Sequence, residues 1–327
     1  MTVSIDEINP YIMQQTNGQL SLNEGDVPNT QLKGQLSLNE GDVPNTQLKG
    51  QLSLNEDVII HDLISPTTLY IQSSEGILAV SNDYVLMNEC TKRRNRLIIL
   101  DADLNLKTLR PLRKTTILEA THCGHNRFLL LSETQVFIID AKNMSSMEVI
   151  KEIIPYEPSK VFKSCCTYGN DNLLYLCYAA WGTEVERWKK QSDWELVKRY
   201  VPVNDTEYIS NIKVNDNDVL AMTIYNSITD QWRLEICVAE TLSKLKATAL
   251  PTSQCDYSLS LVNYNRWLIY NGCSNNLLLV DQSGTKQNIS YIKPIKNVAL
   301  FRRNNLILRT AEKLLILIIA DEEIGKS

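Results

Sequence analysis

The chain has 327 residues, 43% of them apolar and 22% charged, close to globular averages and ample for a buried interior. A net charge of -5 is too small to imply a polyanionic or polycationic partner, so any electrostatic function must come from a local patch. The opening MTVSIDEINPYIM lacks a basic n-region and an apolar h-region, and the longest apolar run, Leu314–Ala320, is too short to cross a bilayer. These features point to the cytoplasm, or the nucleus, with no membrane attachment. In that compartment the eight cysteines are expected as free thiols packed like small hydrophobes. The sequons at Asn143, Asn204 and Asn288 then carry no weight.

Residues 1–56 differ from the rest. GQLSLNEGDVPNTQLK fills Gly18–Lys33, recurs letter for letter at Gly34–Lys49 and starts again at Gly50–Glu56. Each copy has three Leu, one Val and no aromatic residue around a turn-prone centre, so it can bury little. The expectation is a flexible N-terminal extension over residues 1–56, with a folded domain over 57–327.

From Asp57 onward short apolar runs alternate with turn residues. The first unit reads as Thr68–Gln72, Ile77–Glu89, Arg96–Ala102 and Leu106–Leu112, with Thr91-Lys92-Arg93-Arg94-Asn95 as a basic loop before its third run. The second spans Thr115–Ile154 and is the clearest: Ile117–Thr121, the turn Cys123-Gly124-His125-Asn126, Phe128–Leu131, Val136–Ile139 and Met147–Ile153. The third runs Val161–Tyr168, Leu173–Ala180, Glu184–Lys190 and Trp194–Val201. The fourth runs Tyr208–Val214, Val219–Asn226, Gln231–Ala239 and Lys244–Leu250. The fifth gives Tyr257–Val262, Arg266–Tyr270, Leu277–Asp281 and Lys286–Tyr291. The sixth gives only Asn297–Phe301, Asn305–Arg309 and Leu314–Ala320. Runs this short, rich in Ile, Val, Leu and Phe, predict antiparallel meanders.

Four strands every 40–50 residues or so is the period of propeller blades. A lone meander leaves both faces bare, and radial packing covers them. On this period, on the shared first turns and on third strands ending at Asp101, Asp140 and Asp281, the chain resembles the β-propeller repeat proteins, WD40-like or NHL-like. No blade carries the Trp-Asp dipeptide of WD40 repeats, so the resemblance extends to architecture and to no particular member. It implies an all-β, six-bladed propeller over about Asp57–Asp321, or seven blades if the chain is a fragment. The sixth blade lacks a strand, and Asp57–Leu63 is the candidate to pair beside Leu314–Ala320 and close the ring.

Chemistry-bearing motifs are sparse. His122-Cys123-Gly124-His125 holds metal-ligand residue types, but a closed site needs four ligands and the remaining histidine is His61. It reads better as a tight turn in which Gly124 or Asn126 takes positive φ. Cys165-Cys166 on a strand should send one thiol to each neighbouring layer. Nucleophile-elbow, phosphate-loop, dinucleotide and calcium-loop signatures are absent. No catalytic residue, metal or cofactor is therefore assigned.

In a propeller, the loops joining strand two to three and strand four to the next blade share one face. Lys92, Arg93, Arg94 and Arg96 fall in such a loop, as do Trp181 and Ile228. A basic cluster beside an exposed aromatic suits a protein or peptide partner that is acidic or phosphorylated. Arg302 and Arg303 fall in a first turn, on the opposite face, which argues against a continuous nucleic-acid track. Trp188, Trp194, Trp232 and Trp267 are expected to pack between blades. The function that follows is a non-enzymatic interaction scaffold. The alternatives are a propeller enzyme or small-ligand binder with its site at the central channel, lined by polar groups, and a propeller belonging to a larger trafficking or assembly subunit.

Overall fold

The computed structural model describes residues 58–60, 69–70, 76–90, 95–103, 105–112, 115–143, 147–168, 172–215, 217–263, 266–274, 276–291, 294–302, 305–310 and 313–318. The predicted N-terminal extension and the loop residues Lys92, Arg93 and Arg94 lie outside them. All regular structure among the described residues is β-strand.

Two short strands come first, β1 (Val58–Ile60) and β2 (Leu69–Tyr70). Blade 1 holds β3 (Leu78–Val80), β4 (Val85–Cys90), β5 (Asn95–Leu100) and β6 (Leu106–Pro111). Blade 2 holds β7 (Glu119–His122), β8 (Arg127–Leu131), β9 (Val136–Asp140) and β10 (Met147–Val149). Blade 3 holds β11 (Phe162–Tyr168), β12 (Leu173–Tyr178), β13 (Val185–Lys190) and β14 (Trp194–Tyr200). Blade 4 holds β15 (Glu207–Val214), β16 (Val219–Asn226), β17 (Gln231–Val238) and β18 (Lys244–Ala249). Blade 5 holds β19 (Tyr257–Asn263), β20 (Arg266–Asn271), β21 (Asn276–Asp281) and β22 (Lys286–Tyr291). Blade 6 holds β23 (Asn297–Phe301), β24 (Asn305–Arg309) and β25 (Lys313–Ile318).

Within each blade successive strands pair antiparallel. The innermost strands abut in the cycle β3, β7, β11, β15, β19, β23 and back to β3. Six blades therefore form a closed ring, as the period predicts.

The core lies between blades. Six apolar clusters fill the six junctions, and the last joins Ala299, Phe301, Ile307 and Leu314 of blade 6 to Leu78, Val85, Met87 and Leu100 of blade 1. A middle strand is covered on both faces, so its sequence runs apolar without alternation. Phe128, Leu129, Leu130 and Leu131 of β8 are all fully buried, each worth about 1.5–3 kcal/mol relative to exposure. Cys165 faces the junction of blades 2 and 3, and Cys166 that of blades 3 and 4, as alternation along a strand requires. Trp188, Trp194, Trp232 and Trp267 are all buried in such junctions.

The recurrent Asp at the end of the third strand has a local cause. Asp101 Oδ1 accepts from the amides of Asp103 and Asn105, Asp140 Oδ1 from that of Lys142, and Asp281 Oδ1 from that of Thr285. These side chains close the turn to the outer strand. The turn at Gly124 matches its prediction, with Gly124 at φ 84° and the amide of Arg127 bonding to the carbonyl of Gly124 at 2.9 Å. Of the two candidates, Gly124 and not Asn126 takes positive φ, and His125 is left-handed as well, at φ 47°.

Ring closure differs from the expectation. The strand beside β25 is β2, pairing Leu69 with Leu314 and Tyr70 with Lys313. The earlier segment, β1, instead runs parallel to β22 as a fifth strand of blade 5. The first blade shifts accordingly. Ser81, Asn82 and Asp83 break the apolar run Ile77–Glu89 into β3 and β4, with the Ser81 hydroxyl accepting from the amides of Asp83 and Tyr84. Across the closing junction, the buried Arg309 guanidinium donates to the carbonyls of Ile77 and Asn88, and the Asn297 amide donates to that of Gly76.

Candidate functional site

Two polar regions stand out. The first lies in the central channel, lined by the innermost strands. Glu119 on β7 accepts from Lys213 Nζ on β15, from Asn211 Nδ2 at 3.3 Å and from the backbone amide of Cys165 at 2.9 Å. The Ser164 hydroxyl donates to the same carboxylate. Four donors from blades 3 and 4 thus use the roughly four lone-pair positions of one carboxylate. The pair is shielded, with side-chain exposures of 18% for Lys213 and 14% for Glu119. Burial is the strongest single influence and pushes the Lys213 ammonium down, but the Glu119 carboxylate leads the surrounding groups that together hold it above its ordinary value.

The second region is the upper face, where the inner strands begin and the loops between second and third strands emerge. There Trp181, in the loop after β12, stacks edge-on against Tyr208 at 5.1 Å and lies 6.1 Å from Tyr225. Tyr208 and Tyr225 are 5.7 Å apart, and both touch Trp232, which touches Tyr257. Five rings from blades 3, 4 and 5 form one continuous arc. Its inner members are tied down. Trp232 is buried and donates its indole N–H to the carbonyl of Ser253 at 3.1 Å, and the Tyr257 hydroxyl donates to that of Pro251 at 3.2 Å. Its outer member Trp181 is 37% exposed, and Ile228, in the loop that follows Tyr225, is 76% exposed.

The arc is positioned by polar contacts. Glu207 accepts both Nη groups of Arg233, at 2.5 and 3.1 Å, and Asn226 Nδ2 at 2.9 Å. The Asn226 Oδ1 in turn accepts from the amides of Ile228 and Thr229 and shapes that loop. Chiefly through the Arg233 hydrogen bonds, the Glu207 carboxyl is held down at about 2. Gly182 lets the Trp181 loop approach blade 4. It sits at φ 59°, its amide donates to the carbonyl of Glu207, and an added Cβ would lie 2.7 Å from Asp205 Oδ1 and 3.3 Å from Asp205 Cα. At the channel mouth, Lys163 of blade 3 pairs with Asp256 before blade 5 at 2.7 Å, and the Tyr208 hydroxyl donates to the same carboxylate.

The predicted site residues separate. Trp181 joins the arc. Arg96 sits on blade 1 and is paired with Glu89. Blade 2 stands between them, so these two do not share a site. Arg302 lies in the first turn of blade 6, exposed and over the Phe301 ring at 5.5 Å. Tyr208, Tyr225 and Tyr257 escape sequence reasoning: Tyr208 and Tyr225 meet through the strand register of blade 4, and Tyr257 joins them from blade 5 only in the ring. The signal for them is aromatic residues recurring where a strand begins or ends on the upper face.

One expectation fails outright. Cys255 and Cys273 are joined by a disulfide, with Cα atoms 6.2 Å apart, so the chain does not hold eight free thiols. The connection into blade 5 and the loop after β20 share the upper face, which brings the two within bonding distance. The other six cysteines are thiols, and burial pushes those of Cys177 and Cys237 up to about 12.

No family model and no curated protein matches the sequence. Solved structures do match in shape. The β-propeller domain of Cps50 (Swd1) from Myceliophteria thermophila aligns at a TM-score of 0.53 and 11% identity, over 75% of this chain and 83% of that one. The WD40 domain of Toxoplasma gondii coronin aligns at 0.53 and 9%, over 79% and 88%. Streptogramin B lyase aligns at 0.54 and 10%, over 77% and 98%. The chain is a β-propeller. At such identities the propeller shares the fold alone with these proteins, and its site must be argued from its own residues.

Proposed function

We propose that this propeller is a non-enzymatic interaction scaffold that engages a protein or peptide partner across the upper face of blades 3 to 5. The observation that carries the reading is the half-exposed Trp181 standing on Tyr208 and Tyr225, with the exposed Ile228 in the loop that follows Tyr225. Rigid aromatic side chains on a braced surface are what binding hot spots are made of, because they bury large area at small entropic cost. Leu118, Ile154 and Val201, also exposed, lie in connections that emerge on the same face. Lys92, Arg93 and Arg94 lie outside the described residues and carry no part of this reading. With Arg96 paired to Glu89, an acidic or phosphorylated partner has the weaker support.

A ligand site in the channel has one feature in its favour, the carboxylate of Glu119. That carboxylate is taken up by Lys213, Asn211, Ser164 and the Cys165 amide, so it has no lone pair to offer a substrate. The test is to pan a displayed random-peptide library against the full chain and against Trp181→Ala. Peptides retained by the first and lost by the second support the face. Identical selections from both remove it.

A further inference from the structure

Building on that reading of the upper face, we infer that the segment it takes is cationic and arginine-bearing, with a guanidinium laid on the Trp181–Tyr208–Tyr225 surface between flanking carboxylates. Two of the three rings are bonded to a carboxylate, and a third carboxylate lies against the loop that carries Trp181. Asp230 Oδ1 accepts from the Tyr225 hydroxyl at 2.8 Å. Asp256 accepts from the Tyr208 hydroxyl. Asp205 reaches Gly182, the residue after Trp181, with Oδ1 2.7 Å from where a Cβ would stand.

The charge of the surrounding loops has one sign. Residues 179–184, 201–206, 227–230, 250–256 and 272–274 contain Glu184, Asp205, Asp230 and Asp256 and no Lys or Arg. Of the cations bordering them, Lys163 pairs with Asp256, Arg233 with Glu207 and Glu235, and Arg199 with Glu186, while Lys286 and Lys296 donate to the carbonyls of Ala249 and Gly272 at the far, blade 5 side. Asp205 and Asp230 are exposed, and none of Lys163, Arg233 and Arg199 pairs with either. An anionic partner would meet a surface of its own sign, and its desolvation would go unrewarded.

Arginine fits better than lysine. Its planar guanidinium stacks on an aromatic face and pairs with a carboxylate through two donors at once, whereas an ammonium is a compact, strongly hydrated charge. The chain's own repeated segment is a poor occupant. Each GQLSLNEGDVPNTQLK copy has Glu and Asp against one Lys, a net charge of the wrong sign.

The experiment is a fluorescence-anisotropy titration of the full chain with three labelled peptides of equal length, GSRGSRGSRGS and its Lys and Glu counterparts, at near-physiological salt. The Arg peptide should bind saturably, several-fold tighter than the Lys peptide, with no saturation by the Glu peptide. Trp181→Ala and, independently, Asp205→Asn with Asp230→Asn should each weaken it about ten-fold or more, the size of one lost stacking or paired contact. Leu245→Ser, on the outer strand of blade 4, should leave it unchanged, and thermal melts of all variants check folding. Equal binding of the Arg peptide to the full chain and Trp181→Ala, or preference for the Glu peptide, overturns the inference. If library panning yields Trp181-dependent peptides without Arg or Lys, the cationic chemistry fails and the scaffold reading stands. If panning is indifferent to Trp181, both fail.

Discussion

In the channel, Glu119 is surrounded by an ammonium, an amide, a hydroxyl and a backbone N–H, all supplied by the ring itself. On the upper face, Asp205 and Asp230 stand exposed beside half-exposed rings. Both regions bring carboxylates together with donors from several blades, yet one is closed on itself and the other is open. The difference is one of satisfaction. A buried charge must be matched internally or the fold pays several kcal/mol, so a fully matched cluster acts as a clasp between blades. An exposed, partly used carboxylate costs little and keeps capacity for a partner.

The largest effect should come from breaking the clasp. Lys213→Met leaves Glu119 shielded without its cation and should cost about 3–5 kcal/mol in urea unfolding. The double variant with Glu119→Gln should regain most of that loss. If Lys213→Met unfolds at the same urea concentration as the parent, the channel pair is not a clasp.

Next is the brace beneath the rings. Folding lowers the Glu207 carboxyl from 4.5 to about 2, and its side chain is only 7% exposed. Ionisation therefore favours the folded state above pH 4.5, and that share is lost as pH falls through about 2. A shift of this size is worth about 3 kcal/mol. Glu207→Gln should flatten the stability profile over that interval while leaving the profile at higher pH parallel to the parent's. An unchanged slope between pH 4.5 and 2 would contradict the Glu207–Arg233 brace.

Gly182→Ala tests the approach of blade 3 to blade 4. A side chain at φ 59° facing Asp205 should cost about 1–2 kcal/mol and shift the tryptophan emission as Trp181 moves off Tyr208. The smallest stability effect, about 1 kcal/mol or less, is expected for Trp181→Ala, whose indole is partly in water. Its binding loss should be the largest of the set. A variant that lost stability and kept binding would reverse the comparison between clasp and rim.

The blades were legible because covering a strand on both faces forces a continuous apolar run, as in Phe128–Leu131, and because Asp101, Asp140 and Asp281 must close the same turn. Closure was not. β2 offers only Leu69 and Tyr70 to β25, and a two-residue pairing leaves no pattern by which to choose it over Val58–Ile60. The turn at Ser81–Asp83 was hidden by apolar residues on either side. Of the rim, Trp181 could be found alone, since a large aromatic in a turn is conspicuous. Its partners Tyr208, Tyr225, Trp232 and Tyr257 sit on strands where aromatic residues are ordinary; strand register within blade 4 aligns the first three, and the radial packing of blades adds Trp181 and Tyr257. The Cys255–Cys273 bridge was missed for a related reason. The compartment was argued from residues far from the two loops that bring the sulfurs together.

The most direct measurement is hydrogen–deuterium exchange of the full chain with and without a peptide selected by panning. If the rim binds and the channel does not, protection appears in residues 179–184, 204–209 and 225–232, while β7 and the Asn211–Lys213 stretch of β15 are unchanged. Protection confined to Glu119–His122 and Asn211–Lys213, with the Trp181 and Ile228 loops exchanging as before, would place the site in the channel and contradict the scaffold.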